Sequence, residues 1–483
     1  PKETKQQYIE ALNYIQFNHF NIVKLDGNNK APELTNKNII ICSKQFLQTK
    51  ISDSSNKEHT TCIDWLKNMT FEMRFIDESH NGGTTELAQK TLDFYGKFSF
   101  TVQITATYTK PVNDYNIAKD ARIIWDMEDV KLCQNITKEG NIDKLALKHG
   151  EDFRMLINEY SVDNIIAEYS KYPDLWLLTD ELSDDTIQTI INRNKIPGHE
   201  DDGESMEGRF LLNEEKYINQ TDVKPTFQSP EKVLDIFYRM FGKTIDSPLG
   251  PIYDDNYPRE TIFMERIKNI CKNPEINSRF IGEGDFKTST VEDTPTYEPM
   301  IIMAFLPQNN IDNKSRATID LLCDKKCKCI PNYHIISINS NNNNDPKQTI
   351  ESARNEARIM GKIGVLVLSG RQCSLGVSIE NCDIVLLLNN NTSFDMIYQM
   401  MFRCMTPGSK KKCGFVVDFD IHRSIETPII NYATMVKPSS HPREGIKYIL
   451  QEKLINLNGD HWMPSFANDG FKLDTLCDNI YEL

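Results

Sequence analysis

Short apolar runs, each closed by polar or small residues, are the clearest pattern in the chain. They are rich in Ile and Val and lack the apolar–polar alternation of a strand that has one face in water. We therefore predict strands that are buried on both faces, as in a parallel sheet. The runs are NIIIC at 38–42, MRFID at 73–77, TVQITAT at 101–107, MIIMAF at 300–305, HIISI at 334–338, GVLVLS at 364–369, DIVLLL at 383–388 and GFVVDF at 414–419.

Stretches with helical periodicity lie between these runs, for example at 349–360 and 393–405. The alternation of buried strands with helices predicts an α/β fold built on doubly wound parallel sheets. The runs form two groups, one before about residue 130 and one from about residue 298. We predict one lobe for each group.

The stretch between the two groups has a different character, with helix-like segments near 152–170, 229–241 and 260–272. We predict a mostly helical insertion there. After the second group, the pattern predicts one more amphipathic helix near 443–456. The predicted domains are a first lobe at 1–130, the insertion at 131–297, a second lobe at 298–435 and a C-terminal extension at 436–483.

Composition excludes several classes of protein. The 483 residues are 39% apolar and 26% charged, which is ordinary for a globular protein and excludes wholesale disorder. No apolar window approaches the roughly 18 residues of a membrane helix, so we expect no membrane partner. The formal net charge of −14 argues against a protein that coats nucleic acid through its overall charge, but it allows positive charge confined to one channel. The 12 scattered cysteines favour a reduced, intracellular protein.

The end of the MRFID run carries the first candidate chemistry, Asp77-Glu78-Ser79-His80. Two adjacent acids that leave a buried strand are costly unless they meet a metal ion or a positive charge. At the carboxyl end of a parallel strand they face the crevice in which such folds bind ligands. In a site that cleaves phosphate bonds, the first acid holds Mg²⁺ and the second orients the attacking water. Taken alone, however, such a pair is better interpreted as a solvated turn.

The next apolar run ends in Thr105-Ala106-Thr107. A D-E-x-H sequence followed by a strand that ends in T-A-T matches motifs II and III of the superfamily 2 helicases. The sequence therefore resembles a nucleic-acid-dependent ATPase of that superfamily, in its D-E-x-H branch. The stretch FIDESHNGGTTELAQKTLDFYG followed by QITATYTKP looks especially like helicase-type proteins of large DNA viruses. This resemblance implies a location in the cytoplasm, a viral factory or a virion.

The second group of runs is similar to the same superfamily. The stretch at 370–389 has the shape of motif V, with Gly376 and Ser378 where the family contacts the nucleotide. Gln399 and Arg403 match the Q-x-x-x-R half of motif VI. The family usually carries a second arginine three residues later, and Thr406 stands there instead.

The resemblance implies two RecA-like lobes with ATP and Mg²⁺ in the cleft between them. Asp77 would hold Mg²⁺ and Glu78 would activate water. Gln399 would position the nucleotide, and Arg403 would neutralise charge on the transferred phosphoryl group, a role worth about 10³–10⁵ in rate where an arginine has it. The residues that would couple the nucleotide state to the grip on nucleic acid are His80, Thr105 and Thr107.

The resemblance also implies DNA or RNA as the partner, held through backbone phosphates rather than bases. Taken singly, the cations in these positions are solvated surface residues. The tight lysine cluster at 410–412 is likewise interpreted as a solvated loop. The implied contact residues are Ser43, Lys44 and Gln45 in motif Ib, and Ser369, Gly370, Arg371 and Gln372 at the opening of motif V.

The phosphate-binding sequence G-x-x-x-x-G-K-S/T does not occur in the 483 residues. Because the chain begins with Pro1 rather than Met, we expect motifs I and Ia upstream of it, and weak ATP binding by these residues alone. One alternative is a non-catalytic nucleic-acid-binding or interaction module that keeps the helicase fold. Another is the motor subunit of a restriction-type or repair assembly. No obligate protein partner follows from the sequence.

Overall fold

The structure is a computed structural model in which the chain separates into two compact units, Pro1–Ile124 and Trp125–Leu483. No helix among the described residues has the length and apolar character that crossing a bilayer requires. Apart from isolated positions, the structure describes residues 17–25, 33–43, 69–77, 97–105, 116–179, 206–213, 224–245, 252–253, 299–324, 333–338, 345–370, 379–391, 393–408, 413–424, 441–456 and 470–481.

The first unit contains two pairs of parallel strands and one 3₁₀ turn, Lys119–Ala121. β1 (Asn21–Lys24) pairs with β2 (Asn38–Ile41), and β3 (Thr70–Ile76) pairs with β4 (Lys97–Gln103). The strand predicted at 38–42 is thus confirmed, whereas β1 was not predicted. A small buried cluster beside β1 consists of Val23, Leu25 and Leu66.

β3 and β4 differ from the prediction in burial and in extent. Phe75 is 64% exposed and Phe100 is 68% exposed, so the pair is not buried on both faces. Among the described residues each of these strands pairs with only one other strand, which leaves apolar side chains open. β4 also begins and ends four residues earlier than the run at 101–107, and Thr105 therefore follows the strand.

Four helices begin the second unit: α1 (Met127–Gln134), α2 (Asn141–His149), α3 (Asp152–Tyr160) and α4 (Val162–Tyr169). The Asp126 carboxylate caps α1 by accepting from the first-turn N–H groups. The helical stretch predicted near 152–170 is confirmed as two helices that meet at Ser161, whose φ of 69° is not helical. The core of this helical group consists of Cys133, Ile136, Leu145 and Ile157.

The stretch predicted as a helical insertion also contains strands. The helix predicted near 229–241 is confirmed, and the helix predicted near 260–272 lies outside the described residues. The elements are β5 (Asp174–Thr179), α5 (Met206–Arg209), α6 (Pro230–Phe241), β6 (Thr244–Ile245) and its antiparallel partner β7 (Ile252–Tyr253).

A sheet of seven strands, each parallel to its neighbours, forms the centre of the second unit. Besides β5, its strands are β8 (Met300–Phe305), β9 (Tyr333–Ile338), β10 (Gly364–Ser369), β11 (Cys382–Leu387), β12 (Cys413–Asp418) and β13 (Leu454–Asn456). Their order across the sheet is β13–β5–β12–β11–β8–β10–β9. Every residue of β8, β10, β11 and β12 is buried, which confirms the prediction of strands covered on both faces.

Helices cover both faces of this sheet. Besides α6, they are α7 (Ile311–Cys323), α8 (Pro346–Ile359), α9 (Phe394–Met401) with a following 3₁₀ helix (Phe402–Met405), α10 (Ile421–Ser424), α11 (Pro442–Glu452) and α12 (Gly470–Tyr481). Ile301 and Met303 of β8 point to one face, where α8, α9, α11 and α12 pack, and Ile302 and Ala304 point to the other, where α6 and α7 pack. The doubly wound α/β class is thereby confirmed for this unit.

Two sheet strands correct the predicted elements. β5 lies where a helical insertion was predicted, and it pairs in parallel between β12 and β13. The amphipathic helix predicted near 443–456 ends at Glu452, and β13 follows it. Both strands are short, and their backbone hydrogen-bonding groups are satisfied by pairing with neighbouring strands of the sheet. Tertiary pairing, rather than a local pattern, decides their conformation.

Candidate functional site at the strand ends

The ends of β3 and β4 bring two predicted site residues to one edge of the first unit. Ile76 is in register with Gln103, and the Ile104 N–H donates to the Ile76 carbonyl at 2.8 Å. Asp77 and Thr105 therefore leave neighbouring parallel strands at the same edge, with Asp77 exposed to solvent. A carboxylate oxygen in that position is a ligand type that Mg²⁺ accepts. The remaining residues predicted for this edge, Glu78, His80 and Thr107, lie outside the described residues.

The first-unit residues predicted to contact nucleic acid follow β2. Ser43 is half-buried just after the strand, while Lys44 and Gln45 lie outside the described residues. β2 and β3 belong to different strand pairs. The structure therefore does not join Ser43 to the edge that carries Asp77 within one sheet.

The carboxyl edge of the seven-stranded sheet forms the second cluster. Register places Phe305, Ser369, Leu387 and Asp418 in one row at the ends of their strands. Ser369 is fully buried, and a side chain at the following Gly370 would collide with the first residue of α7. The end of β10 and the beginning of α7 are thus in direct contact. Of the other residues predicted here, Arg371, Gln372, Gly376 and Ser378 lie outside the described residues.

A buried ion pair stabilises this edge. The Arg423 guanidinium donates to both carboxylate oxygens of Asp418, at 2.7 Å and 2.9 Å. It also donates to the Leu387 carbonyl at 3.1 Å and to the Asn389 carbonyl. Burial acts to lower the pKa of Arg423, but the adjoining Asp418 carboxylate outweighs it and raises the pKa. Arg423 therefore ties the ends of β11 and β12 together as a permanent cation.

The two motif VI candidates lie on one continuous helical segment. Gln399 is 6% exposed in α9, and Arg403 is half-buried in the 3₁₀ helix that follows. A side chain at Gly414, near the start of β12, would collide with the carbonyl of Cys404. The charge of Arg403 acts on Cys382, the first residue of β11. Arg403 thus lies near the amino ends of these strands, at the opposite edge of the sheet from Ser369 and Asp418.

The lysine cluster at 410–412 departs from its prediction at one described position. Lys411 is 3% exposed rather than solvated. Its ammonium group donates to the carbonyls of Thr406, at 2.9 Å, and Cys382. The hydrogen bonds hold the loop before β12 against the amino end of β11, where two carbonyl oxygens compensate the buried charge.

The structure adds a polar group at the carboxyl edge that the sequence patterns did not mark. Lys314 in the first turn of α7 is 4% exposed. Nearby, Asn309 donates to the Glu207 carboxylate at 3.0 Å, and the Glu207 N–H donates to the Asn390 side chain at 2.9 Å. Burial lowers the pKa of Lys314, and Glu207 acts in the opposite direction. The available signal was the polar stretch PQNNIDNKS directly after the strand run MIIMAFL.

The described residues hold no cluster of three or more His, Cys, Asp or Glu side chains able to bind a metal ion. A Mg²⁺ site at Asp77 would therefore need ligands outside the described residues, or oxygen atoms of a bound nucleotide. The carboxylate type fits that ion, and Asp77 is exposed to solvent.

The sequence matches no protein-family model and no curated protein sequence. Among solved structures, it is similar to S. cerevisiae Dbp5 bound to RNA and ADP BeF3, at 8% identity and a TM-score of 0.38, over 99% of this chain and 79% of that one. It is also similar to the ATP-dependent Type ISP restriction-modification enzyme LlaBIII bound to DNA, at 11% identity and a TM-score of 0.38. This second match covers 93% of the chain but only 24% of LlaBIII.

Proposed function

We propose that the chain is the core of an ATP-dependent nucleic-acid helicase or translocase, of the D-E-x-H branch of superfamily 2. The observation that carries the proposal is the common edge of β3 and β4. It brings Asp77, the first acid of D-E-S-H, beside Thr105, the first residue of T-A-T. This adjacency suits a motor, in which a change at the nucleotide must be passed to the residues that couple it to the grip on nucleic acid.

The roles follow from the chemistry of phosphoryl transfer. Asp77 holds Mg²⁺, which when bound offsets the negative charge of the phosphates. Glu78 orients and deprotonates the attacking water, and Gln399 positions the nucleotide. Arg403 supplies positive charge to the transferred phosphoryl group. His80, Thr105 and Thr107 couple the nucleotide state to the grip, with Gly376 and Ser378 at the nucleotide.

Nucleic acid would be held at strand ends through its phosphates. The contact residues would be Ser43, Lys44, Gln45, Ser369, Gly370, Arg371 and Gln372. DNA and RNA both fit contacts of this kind. The likeness of the D-E-S-H stretch to helicase-type proteins of large DNA viruses supports an intracellular site of action, in the cytoplasm, a viral factory or a virion.

Two substitutions of the acids test the roles in the full-length natural protein. Glu78→Gln removes the base and keeps the shape, so it should retain ATP affinity and lose turnover. Asp77→Asn should instead weaken Mg²⁺-dependent nucleotide binding. The measurements are binding of a fluorescent ATP analogue and steady-state release of phosphate. Unchanged turnover in Glu78→Gln would be fatal to the assignment.

A second candidate, a non-catalytic nucleic-acid-binding module, is favoured by two observations. Arg403 lies near the amino ends of β11 and β12, and Thr406 stands where the family carries a second arginine. Arg403→Ala separates the two candidates. In a motor it should lower nucleic-acid-stimulated turnover by about 10²-fold or more with the fold intact. A loss of less than threefold, with nucleic-acid binding retained, makes the non-catalytic module the better interpretation.

A further inference from the structure

Lys411 is a buried lysine that joins the segment carrying Arg403 to the central sheet. Only 3% of the residue is exposed. Its ammonium group donates to the Thr406 carbonyl at 2.9 Å and also to the carbonyl of Cys382, the first residue of β11. Removing an ammonium group from water is costly, and these charge-assisted hydrogen bonds offset that cost. One side chain therefore bridges the residue after the 3₁₀ helix and the amino end of a sheet strand.

Thr406 ends the helical segment on which Arg403 lies. α9 continues into the 3₁₀ helix Phe402–Met405, and the Thr406 N–H donates to the Arg403 carbonyl at 3.5 Å. The last carbonyl groups of a helix have no partner within it, and 3₁₀ hydrogen bonds have poorer geometry than those of an α-helix. Lys411 supplies an external donor at this end, where the helix dipole also favours a positive charge.

A second contact holds the same segment from the side of β12. The Cys404 carbonyl lies so close to Gly414 that a methyl group at Gly414 would overlap it. The 3₁₀ helix is thereby fixed to β11 through Lys411 and to β12 through its backbone. The backbone directly after Arg403 is thus fixed at two points, Cys404 and Thr406.

We propose that Lys411 is a positioning residue for Arg403 in phosphoryl transfer, an inference that rests on the proposed motor function. An arginine that neutralises charge in a transition state must be in place before the reaction, and a displacement of about 1 Å can cost about 10²-fold in rate. The residues that support such a side chain therefore contribute to its effect. Lys411 acts through the backbone of the 3₁₀ helix and does not touch the nucleotide, because its ammonium group is buried against two carbonyl oxygens.

Steady-state ATP turnover by the full-length natural protein, at saturating single-stranded nucleic acid, tests this role in Lys411→Met. The substitution removes the ammonium group and keeps an unbranched apolar side chain. We expect kcat to fall at least about tenfold and KM for ATP to stay within about twofold, because the weakened interaction acts in the transition state.

Lys453→Met is the matched control. The Lys453 side chain is only 12% exposed, and the residue also directly precedes a strand of the sheet, β13. Its ammonium group, however, lies 3.7 Å from the Asp174 carboxylate and over the Trp176 ring. We therefore expect kcat to be unchanged in Lys453→Met.

A double-mutant cycle separates positioning from a general loss of structure. In the Arg403→Ala background, Lys411→Met should have no further effect on kcat, because the residue that Lys411 positions is gone. Equal losses of kcat in the two backgrounds, or an unchanged kcat in Lys411→Met, overturn the proposal.

Gly408→Ala keeps the test informative where Lys411→Met fails to fold. A methyl group at Gly408 meets the backbone and side chain of Asn381, so the loop that leads to Lys411 must shift while the ammonium group is kept. We expect the same pattern, a lower kcat that disappears as an effect in the Arg403→Ala background. An unchanged kcat in Gly408→Ala overturns the proposal as well.

Hydrogen–deuterium exchange of the amides at 402–406 tests the anchoring without ATP turnover. Exchange should be faster in Lys411→Met and unchanged in Lys453→Met, because only the first substitution removes the bridge to β11. Faster exchange with an unchanged kcat makes Lys411 a structural residue only. Unchanged turnover in Arg403→Ala refutes the role of Arg403 itself, whereas a loss there without one in Lys411→Met refutes this inference alone.

Discussion

Replacement of Arg423 by leucine perturbs a buried ion pair of the second unit. The Arg423 and Asp418 side chains are 4% and 3% exposed, and two charge-assisted hydrogen bonds join them. The substitution keeps apolar bulk but leaves the Asp418 carboxylate without a cation. It also removes the donors to the carbonyls of Leu387 and Asn389.

The size of the expected loss of stability is set by the burial of the charge rather than by the number of hydrogen bonds. An uncompensated charge inside a protein costs about 3–5 kcal/mol when its partner is removed. The double substitution Asp418→Leu with Arg423→Leu removes both charges, and such replacements are often neutral or even stabilising. We therefore expect Arg423→Leu to destabilise the second unit by about 3–5 kcal/mol, and the double variant to recover much of that loss.

Urea unfolding followed by circular dichroism measures the effect, and the double-mutant cycle isolates the coupling between the two charges. Arg154→Leu is the control. Its ion pairs with Asp143 and Glu151 lie at the surface, and we expect no measurable change in the urea midpoint. The reasoning is refuted by a loss of less than about 1 kcal/mol in Arg423→Leu, the size of an exposed pair.

Three further predictions concern other parts of the second unit. Gly414→Ala should cost about 1–3 kcal/mol in urea unfolding, because its methyl group meets the backbone carbonyl of Cys404 rather than a side chain that can move. Burial acts to raise the pKa of Asp129, but hydrogen bonds, including one from Lys148, outweigh it and lower the pKa below 3.8. The ionised Asp129 therefore stabilises the fold at a pH above 3.8, and this contribution is lost as the pH falls through the pKa of the folded state. We expect Asp129→Asn to flatten the acid side of a curve of unfolding free energy against pH. Burial raises the pKa of the Cys382 thiol to about 12, so it should resist a disulfide reagent at pH 8 until urea unfolds the protein.

The sheet of the second unit was largely predictable, because the local sequence of most of its strands is typical of a buried strand. The runs at 300–305 and 383–388 are continuous and rich in branched residues, a pattern that is typical of strands buried on both faces. β5 was missed because its sequence DLWLLT has no β-branched residue before its last position. Its conformation comes from pairing with β12 and β13, which local sequence does not encode.

Some residues of the candidate sites were likewise predictable from local sequence, and others were not. The common edge of Asp77 and Thr105 follows from two strand ends that the sequence shows. Arg423 was missed because its significance depends on distant contacts. Its guanidinium donates to the carbonyls of residues 34 and 36 positions away in the sequence. A single polar residue has no periodic pattern by which the sequence could mark it.

The most direct test of the proposed motor is ATP turnover by the full-length natural protein with and without nucleic acid. The account predicts that turnover rises when single-stranded DNA or RNA is added, and that the increase disappears in Glu78→Gln. Turnover that ignores nucleic acid, or that Glu78→Gln leaves unchanged, contradicts the account.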